Sequence, residues 1–211
     1  SHGARVRPYR SLSGLEEAIV AEAGALRDSG GLIHAYYSSL DALSHQFGCQ
    51  SEEALSCFAH IDAVFTRLAA RLEGTGAQLV LTADHGFIDV PDERCLQLAA
   101  WPDVAAMLEA PLFGERRAAF CAVRQGAAAE FNAWVASELG GRAVLVEGPA
   151  LRHSGLLGPG RPHRRLAERV GTHVLLMEAG WTLADRVAGE KPVSMRGVHG
   201  GLSADEMWVP L

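Results

Sequence analysis

The chain has 211 residues, 48% of them hydrophobic and 21% charged, with a formal net charge of −6. This is the balance of a soluble globular protein, and it excludes a disordered or collagen-like chain. No apolar run reaches the roughly 18 residues of a membrane span. The first residues, SHGARVRPYR, contain no signal-like apolar stretch. An acidic chain without a basic tail is also a poor partner for a nucleic-acid polymer, whereas small phosphorylated substrates stay open.

In chain order, Ser13 and Glu16 have the spacing of a capping box, and Leu15, Ile19, Ala23 and Leu26 recur at helical intervals up to Gly30, which predicts a helix over 14–28. Residues Leu32 to Tyr37 form a short aromatic run bounded by glycines and serines and read as a buried strand. Over 52–73, Leu55, Phe58, Ile61, Phe65, Leu68 and Leu72 lie three or four apart, and Gly74 and Gly76 follow, as in an amphipathic helix with a glycine stop. Gln78 to Ala83 is a second compact apolar run. Helix, strand, helix, strand in this order predicts an α/β fold, with a mostly parallel sheet flanked by helices.

Beyond residue 91 the texture changes, with Pro91, Pro102 and Pro111 separating short pieces. A strand over 117–123, a helix over 127–138 and a strand over 143–147 compose a small α+β unit, read as a cap insertion spanning 91–167. Thr172 to Met177 reads as a return to the main sheet, so the core comprises 1–90 and 168–211. His34 and His60 read as structural. His153, His163 and His173 accompany arginines and read as a solvated basic region that could also meet a phosphate. Four cysteines, Cys49, Cys57, Cys95 and Cys121, have no CxxC spacing and fit a reduced thiol set, hence a cytoplasmic protein.

Three patterns carry chemistry. In Asp41-Ala-Leu-Ser-His45 a carboxylate and an imidazole four residues apart share one face of a helical turn and could bind one divalent ion, although such pairs also arise by chance. In Thr82-Ala-Asp84-His85-Gly86 an apolar strand runs into two ligand-type residues, at the place where ligands bind in open α/β sheets, and Gly86 tolerates the positive φ a turn there requires. The bland alternative is an Asp capping the next turn beside an idle His. In Gly197-Val-His199-Gly200-Gly201 small neighbours let backbone approach closely; the alternative is an imidazole in a flexible solvent-facing turn.

Taken in order, the three patterns resemble the alkaline phosphatase superfamily, most closely its type I phosphodiesterase/nucleotide pyrophosphatase branch. Ala35 through Asp41, His45 and Gly48 resembles that family's strand-to-ligand segment, Thr82 to Phe87 its Asp-His-Gly segment, and Val198 to Leu211 its His-Gly stretch ending in Pro-Leu. The resemblance implies a two-metal, zinc-dependent phosphodiesterase acting on a small phosphorylated substrate such as a nucleotide. One Zn²⁺ would be held by Asp41, His45 and His199, and the other partly by Asp84 and His85. Two such ions flank the attacking and leaving oxygens of an in-line displacement.

Family members also carry, upstream, a metal-binding Asp and a Thr or Ser nucleophile at a helix start. Ser11, Ser13 and Ser29 are the hydroxyls available here, and none matches that pattern. The expectation is therefore the C-terminal portion of a larger hydrolase, inactive alone, with one tight zinc site and an internal breakpoint near Ser1-His2-Gly3. The alternatives are a non-catalytic metal- or phosphate-binding module of the same fold, or another superfamily hydrolase such as a phosphonoacetate hydrolase or phosphomonoesterase.

Overall fold

The computed structural model describes residues 3–187, 189 and 194–211, so Ser1 and His2 of the expected breakpoint lie outside the described residues. The chain divides into two compact units, 1–83 with 210–211, and 84–209.

The first unit holds three helices, α1 (Leu12–Ala25), α2 (Ser39–Phe47) and α3 (Glu52–Leu72), with α1 and α2 both packed on α3. Helix α1 is capped by Ser11, whose hydroxyl oxygen accepts the Gly14 N–H at 3.1 Å, and not by Ser13. Glu16 does not close a capping box because it turns to α3, where its carboxylate accepts from Arg67 Nη2 at 2.8 Å and Arg71 Nη1 at 3.0 Å. Two guanidinium partners outweigh one backbone N–H for a carboxylate.

Helix α3 has the predicted bounds to within a residue. Ser51 accepts the Ala54 N–H at 3.2 Å, Glu52 and Glu53 lie in the first turn and Arg71 in the last, each favourable to the helix dipole. Its buried stripe is Ala54, Cys57, Val64, Leu68 and Leu72, which leaves Leu55 and Phe58 on the exposed side. Small residues at 54 and 57 let the neighbouring helices approach.

Residues 32–37 and 78–83, predicted as strands, join no ladder among the described residues. Leu32 and Val80 are 91% and 59% exposed. An apolar run states only that burial is favourable; a strand also needs a partner for its backbone N–H and C=O groups. The second run is anchored by Thr82, whose hydroxyl donates to the Pro210 carbonyl at 2.7 Å.

The second unit begins with β1 (Ile88–Asp89) and β2 (Cys95–Gln97), followed by α4 (Pro102–Ala106), β3 (Phe113–Glu115), β4 (Ala118–Cys121), α5 (Ala128–Glu138) and β5 (Ala143–Glu147). Helices α6 (Gly148–His153) and α7 (Leu166–Val170), strands β6 (His173–Met177), β7 (Thr182–Ala184) and β8 (Gly197–Val198), and helix α8 (Ala204–Met207) complete it. Strands β3, β4, β6 and β5 form a four-stranded sheet in that order. Both β4 and β5 run antiparallel to β6, so they are parallel to each other with β6 inserted between them, a split β-α-β arrangement.

Residues 173–177 were expected to return to a sheet with 32–37 and 78–83; they pair with 118–121 and 143–147 instead. The reason lies in β6, which is apolar on both faces and so suits any central position, while its neighbours are chosen by complementary surfaces far away in sequence. Alternate residues of β6 serve two cores. Leu175 and Met177 meet Phe131, Val135 and Leu139 of α5, whereas Val174 meets Leu151 of α6 and Val170 of α7. His173 faces the α5 side, 5.5 Å from the Phe131 ring, and is buried; burial holds its imidazole below the ordinary range despite the Glu147 charge. It is therefore a structural residue and not part of a solvated basic region.

Two short ladders flank this sheet, β1 with β8 antiparallel and β2 with β7 parallel. The β2–β7 pair is the sole parallel ladder among the described residues. No helix among the described residues is long and apolar enough to cross a membrane.

Phe131 is fully buried between α5 and the sheet, so Phe131→Ala is expected to destabilise the second unit by about 3–5 kcal/mol, measurable as a lower urea midpoint. The Glu16 carboxyl is held below its ordinary value near 4.5 by the Arg67 and Arg71 hydrogen bonds, against the effect of burial. A depressed folded pKa means the unfolded chain binds that proton more readily, so the contribution is complete above the unfolded value and disappears as pH falls through the folded one. Urea melts should show Glu16→Gln less stable than wild type at neutral pH, with the difference closing as pH falls below the ordinary carboxylate range.

Candidate metal centre

The first unit presents Asp41 and His45 on α2, a helix of nine residues. Asp41 lies in its first turn, where a carboxylate suits the helix dipole, and His45 in its last. The i,i+4 spacing brings Asp41 Oδ1 and His45 Nε2 to 3.5 Å, as the sequence predicts. Asp41 is 38% and His45 23% exposed at the side chain, so both are open to a ligand without being loose surface groups.

The second unit presents Asp84, His85 and His199. The antiparallel β1–β8 ladder pairs Ile88 with Val198 and Asp89 with Gly197, so the chain entering β1 and the chain leaving β8 run side by side. That places the imidazoles of His85 and His199 face to face, 3.7 Å between centroids and 16° between planes. Phe87 meets both rings edge-on, at 5.2 Å from His85 and 5.3 Å from His199. Within this unit the structure therefore unites two of the predicted ligands that are 114 residues apart (199 minus 85).

Ring orientation is constrained as well. His85 Nδ1 lies 3.0 Å from the Gly86 carbonyl oxygen, which can only accept, so an N–H at Nδ1 is held there. A backbone carbonyl in such a position orients a metal-binding imidazole through its other nitrogen. Asp84 Oδ1 is 3.7 Å from His85 Nε2, and the Asp84 side chain is 69% exposed.

The glycines serve two different purposes. Gly200 has φ +94°, a left-handed conformation that favours glycine. Gly86, expected to supply a positive φ, does not; a Cβ there would lie 1.9 Å from the Asp205 carbonyl oxygen, so the residue is small because backbone passes against it.

Two charged residues that the sequence reading did not single out lie buried near these loops. Arg117 is 0% and Glu206 2% exposed, and they form a two-pronged pair, Nε to Oε1 at 2.9 Å and Nη2 to Oε2 at 2.8 Å. Burial opposes the Glu206 carboxylate, yet hydrogen bonds from Arg117, Ser203 and the Gly201 N–H, with the Arg117 charge, hold its carboxyl below the ordinary range. The Ser203-x-x-Glu206 spacing, a formed capping box on α8, was the available sequence signal for Glu206. Arg117 has none, being one arginine among many.

Carboxylates and neutral imidazoles are the ligand types that zinc and similar divalent ions take. The Asp41–His45 pair of the first unit and the His85–His199 pair of the second offer these ligand types.

Comparison with known proteins places the chain in a family. The family model described as type I phosphodiesterase / nucleotide pyrophosphatase matches residues 7–202. Murine ectonucleotide pyrophosphatase / phosphodiesterase 5 superimposes with a TM-score of 0.66 at 20% identity, over 95% of this chain and 52% of that one. Phosphonoacetate hydrolase from Sinorhizobium meliloti 1021, solved with phosphonoformate, gives 0.58 at 21% identity over 99% and 52%. An alkaline phosphatase PhoD from Zymomonas mobilis is 38% identical over 68 residues, 31% of this chain and 12% of that protein. The chain spans about half the length of the solved structures it matches. Those structures share its α/β fold, and the match over 7–202 means that the chain belongs to the type I phosphodiesterase / nucleotide pyrophosphatase family.

Proposed function

We propose that these residues are the ligand-bearing part of a metal-dependent phosphodiesterase or nucleotide pyrophosphatase, with Asp41, His45 and His199 holding one Zn²⁺ and Asp84 and His85 contributing to a second. The observation that carries the reading is the stacked His85–His199 pair at the end of the β1–β8 ladder. Two-metal hydrolases need imidazole ligands gathered at one place, and these two rings are gathered there. When bound, such ions supply positive charge and a coordination position for a phosphate oxygen.

The chain's own residues do the preparation. The Gly86 carbonyl, 3.0 Å from His85 Nδ1, orients that imidazole. Phe87 packs edge-on against both rings and limits their rotation. The carboxylates of Asp41 and Asp84 supply two negative charges against the ions, which leaves net positive charge for an anionic substrate. In this reading the nucleophile and the further Asp lie outside the 211 residues, and residues 32–37 and 78–83 serve as strands of a mostly parallel sheet in the longer protein.

A solved relative binds AMP and another binds phosphonoacetate, which supports a small phosphorylated substrate here. Burial pushes the Cys121 thiol up to about 12, so it stays an inert thiol.

Zinc titration by calorimetry is expected to show one tight event that disappears in His199→Ala; unchanged binding in that variant refutes the assignment. Toward bis(p-nitrophenyl) phosphate, the 211-residue chain should turn over barely above a metal blank, and a longer form with a Thr or Ser nucleophile should be active in a chelator-sensitive way. Positioning of the nucleophile supplies on the order of 7–11 kcal/mol of such a barrier, so the contrast should be large. A longer form that binds zinc and stays inert would mark a non-catalytic module instead.

A further inference from the structure

We propose that Glu206, locked by Arg117, is the positioning residue that sets His85 and His199 against each other. This rests on the reading of the two histidines as metal ligands. The β1–β8 ladder alone has two residue pairs and ends at Ile88 and Val198, before either imidazole is reached. Beyond it both loops meet one residue. The Glu206 backbone carbonyl accepts the Gly86 N–H at 2.8 Å, one position after His85. Its side-chain Oε1 accepts the Gly201 N–H at 2.8 Å, two positions after His199.

The carboxylate that makes the second contact has little freedom. Arg117 grips both oxygens, and the Ser203 hydroxyl donates to Oε2 at 2.6 Å. Arg117 is fixed in turn, since its Nη1 donates to the carbonyls of Glu178 and Trp181 at 2.6 Å each. The space is closed as well: a Cβ on Gly201 would lie 2.7 Å from both Arg117 Nη2 and Glu206 Oε2, and one on Gly86 would collide with the neighbouring Asp205 carbonyl. Both glycines are thus the consequence of one clamp.

Stability alone does not account for such a clamp. A buried ion pair loses hydration on both partners, and apolar residues of equal volume often serve stability equally well. An ion pair with this many directed hydrogen bonds does what an apolar contact cannot, since it fixes the direction of each group it touches. Here that direction is transmitted to the loops bearing the two imidazoles, and outer-shell partners of this kind orient metal ligands generally.

The test uses the paired variant Arg117→Met with Glu206→Met, which removes both charges together and avoids leaving one buried alone. Imidazole ¹⁵N spectra are recorded on the metal-free chain, with the two rings assigned through His85→Gln and His199→Gln, and zinc affinity is measured separately. The paired variant should melt cooperatively, shift the His85 and His199 ring signals, leave those of His45 and His60 in place, and bind zinc about ten-fold more weakly. Ser203→Ala keeps the ion pair and removes one hydroxyl contact, so it should move the same two rings less; this variant decides the question if the paired one does not fold. Unmoved His85 and His199 signals in a folded variant overturn the proposal. Because the spectra need no metal, a wild-type chain that fails to bind zinc would defeat the metal reading while the ring signals still report on the clamp.

Discussion

A carboxylate enclosed by protein must find donors for its oxygens or lose its charge, and Glu206 finds five: two from Arg117, the N–H and hydroxyl of Ser203, and the Gly201 N–H. The donors come from two distant stretches of chain. Arg117 immediately precedes β4, Gly201 follows β8, and Ser203 caps α8, so satisfying one buried charge fastens the loops of the second unit to the edge of its main sheet. The carbonyls of Glu178 and Trp181 extend the same network to the turn that follows β6. The desolvation of both ions is offset only when every member is in place, which makes the arrangement cooperative.

The four-stranded sheet is a scaffold suited to that role. With β6 inserted between β4 and β5, its residues are committed on both edges and both faces, and the two hydrophobic cores meet across one strand. A rigid centre of this kind leaves the loops at β1 and β8 as the places where polar chemistry can be displayed. His85 and His199 stand there, stacked on each other and bordered by Phe87.

The first unit follows a different logic. Its helices are joined by Glu16, whose carboxylate is shared between two arginines on successive turns of α3. Asp41 and His45 ride on α2 at opposite ends, so their spacing depends on helix geometry alone and not on distant contacts. The two units thus place their candidate ligands by unlike means, one by local helical periodicity and the other by a ladder between distant segments.

Sequence by itself determined what depends on neighbours in the chain. The bounds of α3, the strand-helix-strand run over β4, α5 and β5, and the Asp41–His45 pairing follow from capping residues, glycine stops and the 3.6-residue period. The Asp-His-Gly and His-Gly-Gly patterns are legible for the same reason, since a candidate ligand beside a glycine is a local signature. What was decided only by tertiary structure depends on partners far away: the insertion of β6, the absence of ladders at 32–37 and 78–83 among the described residues, and the union of His85 with His199. Arg117 and Glu206 stand 89 residues apart. No period or spacing connects such positions, because an ion pair requires only that two charges meet in space, and where they meet is fixed by how the intervening sheet folds.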